Sequence, residues 1–320
     1  MKAITIIIPV YNEEDSLARL IARLDSLADT QNMYRFEYLF VDDGSKDGTL
    51  PLLKQYAAAN PRVSYVTLSR NFGQEAAMFA GLDHADGDAV IIIDADLQDP
   101  PELVPQMIQL WEQGYDDVYA RRNNRKGETW LKKTTASLYY RMLQRSTKVE
   151  IQRDTGNFRL LDRRCVLALR QMREHERQAK ALFSWIGYRK KEITYDRDPR
   201  IDGQSKWSYP ALVNLAINGV TSFTIAPLRF ASISGFVISF VALVYIIIII
   251  VQTLFTNNHL SGWPAIMCVV LFLGGIQLVS LGIIGEYIGR IFNETKNRPI
   301  YLIDDYHAGG TTTSTPSSQE

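Results

Sequence analysis

The chain is poor in cysteine and carries no excess of charge of either sign. Its 320 residues include two cysteines, Cys165 in a polar stretch and Cys268 in an apolar run. These dissimilar surroundings argue against a disulfide scaffold and favour a reducing compartment. The 35 basic residues are balanced by 35 acidic ones, which argues against a nucleic-acid-binding protein that relies on a global basic field. An apolar content of 46 % excludes a disordered chain.

Charged residues are missing from one long stretch toward the C-terminus. Between Arg229 and Glu286 there is no Asp, Glu, Lys or Arg. Two segments within it, residues 233–251 and 264–284, are each long enough to cross a hydrocarbon core of about 30 Å as a helix. A buried hairpin of a soluble core is the alternative, but two adjacent uncharged segments disfavour it.

Basic residues flank this uncharged stretch on both sides, whereas the link at residues 256–263 has none. The positive-inside rule therefore predicts a multi-pass protein of the cell membrane with both outer ends in the cytoplasm. No signal peptide is expected, because the apolar run at residues 4–10 is too short. We predict a cytoplasmic domain at 1–225, two membrane helices at about 230–255 and 264–288 within 226–290, and a cytoplasmic tail at 291–320, disordered from about 308.

The first half of the chain alternates short β-branched segments with longer mixed ones. Strands are predicted at residues 4–10, 36–41, 63–68 and 89–94, and helices at 13–28, 48–60 and 74–85. This alternation predicts an α/β fold in which helices cover both faces of a mostly parallel sheet. Ligands bind beyond the carboxyl ends of the strands in such sheets.

Polar residues follow three of the predicted strands. They are Pro9, Tyr11 and Glu13 after the first, Asp42, Asp43, Ser45 and Asp47 after the second, and Asp94, Asp96, Gln98 and Asp99 after the last. Ordinary turn and helix-capping chemistry also accounts for the second group. An extended strand with a period of two would place Asp94 and Asp96 on one side. Two close carboxylates there indicate a hard divalent cation, Mg²⁺ or Mn²⁺.

Five ordered motifs carry a resemblance to a known family. They are I-I-I-P-V-Y-N-E-E at 6–14, V-D-D-G-S-K-D-G-T at 41–49, S-R-N-F-G-Q-E-A-A at 69–77, V-I-I-I-D-A-D-L-Q-D-P at 90–100 and L-G-I-I-G-E-Y-I-G-R at 281–290. Together they resemble family 2 glycosyltransferases with the GT-A fold. Within that family they are most similar to enzymes that use polyprenyl phosphates as acceptors, such as bacterial undecaprenyl-phosphate glucosyltransferases and dolichyl-phosphate mannose synthases. The resemblance covers residues 3–303 and implies a Rossmann-like GT-A domain followed by a transmembrane hairpin.

The resemblance also implies roles for the residues that bind the nucleotide-sugar. Asp96 and Gln98 would bind the metal, and Asp94 would face the ribose or the donor sugar or share the metal. Pro9, Tyr11, Glu13 and Asp42 match positions that hold the nucleobase and ribose, and Arg200, Ser205 and Lys206 belong to a loop that would close over the diphosphate. A strand-end cap at Asp42 and a flexible basic loop at 200–207 remain the alternatives.

Basic residues mark the predicted acceptor side. Arg121, Arg122, Arg125 and Lys133 are predicted to bind the acceptor phosphate, and amphipathic helices near 130–147 and 208–224 are predicted to lie at the membrane surface. A solvated basic helix is the alternative. By resemblance Asp154 faces the acceptor and, with Asp94, is the candidate catalytic carboxylate, whereas Asn157 stands where many relatives carry Asp.

The sequence therefore predicts a metal-dependent, inverting hexosyltransferase. Its donor is a nucleotide-sugar, UDP-glucose first, and its acceptor is undecaprenyl phosphate; the lipid-linked product serves cell-envelope glycan modification, and a homo-oligomer is expected. Mannose, N-acetylglucosamine or an aminoarabinose derivative are alternative sugars. A processive synthase is disfavoured because residues 178–185 lack its Q-x-x-R-W motif. A non-catalytic lipid-binding scaffold or flippase subunit is disfavoured because the acidic clusters are intact.

Overall fold

The computed structural model describes residues 1–122, 155–174, 179–195, 226–255 and 262–309 of the chain. These residues belong to two compact units. The first unit holds the described residues up to 195 together with residues 299–309, and the second holds residues 226–255 and 262–298. The predicted interfacial helices near 130–147 and 208–224 lie outside the described residues.

The first unit is an α/β domain. Its strands are β1 (Lys2–Val10), β2 (Tyr34–Asp42), β3 (Val63–Leu68), β4 (Ala89–Ile92), β5 (Asp117–Arg122), β6 (Thr155–Asp162), β7 (Lys190–Tyr195) and β8 (Ile303–His307). Its helices are α1 (Glu14–Thr30), α2 (Thr49–Ala59), α3 (Gln74–His84), α4 (Val104–Glu112), α5 (Arg163–Arg170) and α6 (Ala179–Trp185). The strands and helices predicted up to β4 are confirmed, with ends shifted by no more than two residues.

The eight strands form one sheet in the order β7-β5-β6-β4-β1-β2-β3-β8. Strands β4, β1, β2 and β3 run parallel to one another, and β7 runs parallel to β5. Strand β6 is antiparallel to both of its neighbours, and β8 is antiparallel to β3. The predicted fold class, a mostly parallel sheet of the GT-A type, is confirmed.

Apolar layers cover both faces of this sheet. Helices α1, α2 and α4 pack on one face, where their leucines and isoleucines meet side chains such as Tyr38 and Phe40 of β2. Helices α3, α5 and α6 pack on the other face against side chains such as Ile7 and Val41. Because both faces are covered, the parallel strands are apolar along their whole length rather than alternating. The carboxyl ends of β1, β2 and β4 therefore open on the same edge of a rigid platform.

Strand β8 lies far from the rest of the domain in sequence. The sequence analysis assigns residues 291–320 to a tail, whereas the structure places Ile303–His307 at the edge of the sheet beside β3. The backbone N–H of Ser69 donates to the carbonyl of Leu302 at 2.9 Å. The hydroxyl of Tyr301 donates to Asp83 Oδ2 at 2.7 Å. The segment after the apolar helices is thus part of the catalytic-type domain.

The second unit contains two long helices in its described residues, α7 (Ala226–Phe255) and α8 (Trp263–Thr295), which contact each other. Both are long and apolar enough to cross a membrane, within the windows Leu228–Tyr245 and Phe272–Thr295. No residue of either window is buried in the protein, so their apolar side chains lack the protein core that would shield them from water. This exposure favours lipid contact over the buried soluble hairpin.

Candidate functional site

The loops that follow β1 and β2 are fixed to each other by hydrogen bonds. The backbone N–H of Asn12 donates to Ser45 Oγ at 2.9 Å, and the backbone N–H of Lys46 donates to Asn12 Oδ1 at 2.8 Å. Asn12 has a φ of 55°, a left-handed conformation that asparagine tolerates better than most residues. The backbone N–H of Glu13 donates to Thr49 Oγ1 at 2.9 Å. The two predicted nucleotide-binding segments are therefore held side by side.

Three predicted nucleotide-binding residues lie on this pair of loops. Pro9 pairs in register with Val41 near the end of β1, and Tyr11 is 41 % exposed. The Glu13 carboxylate accepts a hydrogen bond from Ser16 Oγ at 2.9 Å. Glu13 thereby stabilises the start of α1, which is a structural role in addition to the predicted one.

Asp42 ends β2 and is wholly buried. Its Oδ1 accepts a hydrogen bond from the backbone N–H of Ser45 at 3.2 Å, whereas Oδ2 has no hydrogen-bond partner among the described residues. Burial raises the pKa of this carboxyl, and hydrogen bonding by Ser45 opposes that rise. A buried acceptor without a partner costs about 1–3 kcal/mol. The arrangement is that of a carboxylate oxygen reserved for a donor group from outside the domain.

Asp43 has a different task, which the sequence did not reveal. Its two carboxylate oxygens accept the backbone N–H groups of Phe72 and Gly73, at 2.7 and 2.8 Å. Gly44 has a φ of +69°, and a Cβ there would come within 2.7 Å of the Arg70 backbone. Only glycine permits so close an approach. Asp43 and Gly44 together bind the loop after β3 to the loop after β2.

The segment after β4 departs from the strand geometry that we expected. The strand ends at Ile92, and Asp94 and Asp96 lie in an irregular turn in which Leu97 has a φ of 61°. The argument that an extended strand places both carboxylates on one side is therefore wrong. Hydrogen bonds shape this turn instead, because Asp96 Oδ1 accepts the backbone N–H of Gln98 at 3.1 Å. Both Asp94 and Asp96 are half-buried.

Two residues after the D-A-D sequence anchor this turn. Asp99 is buried; its Oδ1 accepts the hydroxyl of Tyr195 at 2.8 Å, and its Oδ2 accepts the backbone N–H of Asp94 at 3.4 Å. Gln98 is also buried, and its Oε1 has no hydrogen-bond partner among the described residues. The predicted metal residues Asp96 and Gln98 thus lie in one turn, where they offer a carboxylate and an unpaired amide oxygen.

These oxygens fit the chemistry of Mg²⁺ or Mn²⁺. The described residues contain no cluster of three or more His, Cys, Asp or Glu side chains that would hold a metal by itself. Mg²⁺ is usually bound by one or two carboxylates together with substrate phosphates and waters. A site with one carboxylate and one amide oxygen therefore suits a cation that enters with a nucleotide.

Gln74, the first residue of α3, contacts this turn directly. Its Nε2 donates a hydrogen bond to Asp94 Oδ1 at 2.8 Å. The next residue, Glu75, accepts the backbone N–H of Ala179 at the start of α6, at 2.9 Å. Sequence reasoning identified the S-R-N-F-G-Q-E-A-A motif but no task for these two side chains, because both contacts join residues far apart in the chain.

The predicted acceptor side is described only in part. The Arg121 guanidinium forms an ion pair with Glu192 at 3.1 Å, with both side chains partly exposed. Such an ion pair contributes about 0–1 kcal/mol, so an incoming phosphate can displace it. Arg122 ends β5, and its side chain is outside the described residues. The other predicted contacts outside the described residues are Arg125, Lys133, Asp154, Arg200, Ser205 and Lys206.

A fully buried ion pair lies between β5 and β6. The guanidinium of Arg159 contacts Asp117 at 3.2 Å, and both side chains are completely buried. The Arg159 guanidinium also lies 3.9 Å from the ring centroid of Phe183 on α6. Removal of one partner of such a pair leaves an uncompensated charge. The pair fixes the strand that follows Asp154, and the sequence gave no signal for it.

Comparison with known proteins identifies two matching regions. Residues 5–169 match the family model described as glycosyl transferase family 2, and residues 226–291 match the model described as the GtrB C-terminal hairpin. An uncharacterized glycosyltransferase of Synechocystis sp. is 47 % identical over 302 residues, which cover 94 % of this chain and 95 % of that protein. The SfII prophage-derived bactoprenol glucosyl transferase of Shigella flexneri is 39 % identical over 306 residues, which cover 96 % and 99 % of the two chains.

Proposed function

The chain belongs to glycosyl transferase family 2, and we propose that it transfers glucose from UDP-glucose to a polyprenyl phosphate in the membrane. The observation that carries this proposal is the joining, in one chain, of a buried, unpartnered carboxylate oxygen at the sheet edge to two helices apolar enough to span a membrane. The first suits a nucleotide donor and the second suits a lipid acceptor. The name of the Shigella relative, a bactoprenol glucosyl transferase, supports the same acceptor and sugar.

Asp42 supports a donor whose base carries an imide N–H. Its Oδ2 is an acceptor without a partner among the described residues. Uracil and guanine present an N–H donor at the ring position between their carbonyl groups or beside one, whereas adenine and cytosine present a ring nitrogen acceptor there. An ionised carboxylate accepts hydrogen bonds and cannot donate them. UDP-glucose is therefore a better donor for this site than ADP-glucose.

The turn at residues 94–98 is proposed to receive the diphosphate. A divalent ion, when bound, offsets the negative charge that the departing nucleotide gains on its β-phosphate. Asp96 and Gln98 would hold it with their oxygens, and Asp94 would face the ribose or the donor sugar or share the ion. Arg200, Ser205 and Lys206 are proposed to close over the same phosphates, because cations and hydroxyl donors stabilise them.

The chain's own residues have mainly to position the acceptor. A phosphate monoester has a second pKa of about 6, so its oxygen is already ionised at neutral pH. This oxygen forms a bond to the anomeric carbon while the bond from that carbon to the β-phosphate breaks, which inverts the configuration. Asp154 would orient the reacting groups or take up a residual proton. Arg121, Arg122, Arg125 and Lys133 are proposed to hold the acceptor phosphate through charge-assisted hydrogen bonds.

The reaction can be tested with the purified full-length protein in detergent. We expect UDP release and a lipid-linked hexose when UDP-glucose, undecaprenyl phosphate and Mg²⁺ or Mn²⁺ are all present. Release should fall to background when the lipid or the metal is omitted. ADP-glucose should be at least about tenfold poorer, since one unmatched hydrogen bond to a charged group costs about 1.5–3 kcal/mol.

Other outcomes of this assay identify the competing functions. Repeated sugar addition to one acceptor would indicate a processive synthase, and binding of the lipid without nucleotide release would indicate a scaffold. Transfer from GDP-mannose or UDP-N-acetylglucosamine in preference to UDP-glucose would correct the sugar and keep the reaction class.

We also propose that the catalytic domain faces the cytoplasm and that the short link between α7 and α8 faces the opposite side. In a variant lacking both native cysteines (Cys165→Ala, Cys268→Ala), Asn258→Cys should react with a membrane-impermeant maleimide in intact cells. Ser314→Cys in the same background should react only after the cells are opened. If both cysteines react in intact cells, or neither does, the hairpin topology is wrong.

A further inference from the structure

We propose that Gln74 is a positioning residue for Asp94, an inference that rests on the proposed function. Its amide Nε2 donates to one carboxylate oxygen of Asp94 at 2.8 Å. That bond leaves the negative charge of Asp94 in place while it restricts the rotation of the carboxylate. Donor recognition needs such restriction, because a carboxylate that turns freely loses entropy each time it engages a substrate.

The backbone before Gln74 is built to hold it in place. Gly73 has a φ of +97°, a conformation that side-chain-bearing residues rarely adopt. The two carboxylate oxygens of Asp43 fix the N–H groups of Phe72 and Gly73. Asp43 directly follows Asp42, the proposed base-binding residue. The position of Gln74 is therefore set by the same strand end that receives the nucleotide.

Glu75 secures the opposite side of the same helix start. Its carboxylate accepts the backbone N–H of Ala179 at 2.9 Å, which ties α3 to α6. With Asp43 on one side and α6 on the other, Gln74 has little freedom to follow Asp94 if that carboxylate moves. The geometry points to an orienting contact in which Gln74 sets the direction of Asp94.

A substitution to glutamate separates this role from a merely structural one. Glutamate has the same size, and a negative charge at the first position of a helix is favourable, so Gln74→Glu should leave the melting temperature unchanged or raise it. The carboxylate cannot donate to Asp94 and repels it. We expect turnover of UDP-glucose to fall about tenfold to a hundredfold. Gln55→Glu, an exposed change on α2, is the matched control and should stay within about twofold of wild type.

Direct binding of UDP-glucose in a double-mutant cycle completes the test. Gln74→Glu and Gln74→Leu should each weaken binding when Asp94 is present and have almost no effect in an Asp94→Ala background. Equal losses in both backgrounds, or wild-type binding and turnover in both Gln74 variants, would overturn the inference. A wild-type protein that transfers no sugar would instead contradict the proposed function, so the two failures are distinguishable.

Discussion

Replacement of Asp96 by alanine is expected to lower kcat/KM for sugar transfer about a hundred- to a thousandfold, even at saturating metal. The Asp96 carboxylate is the charged oxygen ligand in the proposed metal site, and Gln98 contributes only a neutral one. Loss of one preorganised group that stabilises developing charge typically costs this much. Initial rates of UDP release, measured across a titration of Mg²⁺ or Mn²⁺, give the result.

The variant should remain folded and membrane-bound. Asp96 is half-buried, and its recorded contact is one hydrogen bond from the Gln98 backbone at 3.1 Å, so the expected loss of stability is about 1 kcal/mol. Asp29→Ala is a suitable control, because that carboxylate forms a surface ion pair with Arg62 at 2.9 Å, away from the strand ends. Activity of Asp96→Ala within tenfold of wild type at saturating metal would refute the assignment.

Removal of β8 is the second change with a large expected effect. A chain that stops after Arg298 loses the edge strand and the hydrogen bonds from Ser69 to Leu302 and from Tyr301 to Asp83. It also loses the ion pair of Lys54 with Asp305 at 2.9 Å. Hydrogen bonds contribute about 1 kcal/mol each, so the total loss is on the order of 5 kcal/mol. That loss is comparable to the whole stability of many domains.

Two truncations make this expectation testable. The chain that stops after Arg298 should aggregate or melt well below the wild type when purified in detergent, and its transfer activity should be lost. The chain that stops after Gly309 keeps β8 and the hydrogen bond from the Gly309 N–H to Ser64 Oγ at 2.9 Å, and should behave as wild type. Equal melting temperatures for the two truncations would show that β8 is dispensable.

The sequence was informative wherever local pattern decides structure. Strands β1 to β4 and helices α1 to α3 could be predicted because each is a strongly apolar or amphipathic segment between clear turn residues. The apolar hairpin was predicted from the absence of charge alone. Strand β8 could not be predicted in this way, since its sequence I-D-D-Y-H is short and polar. It is a strand because the exposed edge of β3 supplies its partners.

The candidate site divides in the same manner. The residue types at the strand ends and their ordered motifs identified Asp42, Asp94 and Asp96. Their supporting contacts could not be predicted, because Gln74 reaches Asp94, and Tyr195 reaches Asp99, across distances in sequence that no local pattern records. The turn after Ile92 shows the limit most clearly, since a strand period extended by two residues placed two carboxylates by the wrong argument.

The position of β8 in the chain also sets the order in which the protein can be completed during synthesis. The ribosome makes β3 early, but the strand that pairs with its open edge follows residue 298, after both apolar helices. Until then β3 presents unpaired backbone groups of the kind that promote aggregation. The sheet is therefore finished only after the hairpin has been synthesised, so a nascent chain that has not reached its membrane segments has no complete sugar-transfer domain in the cytosol.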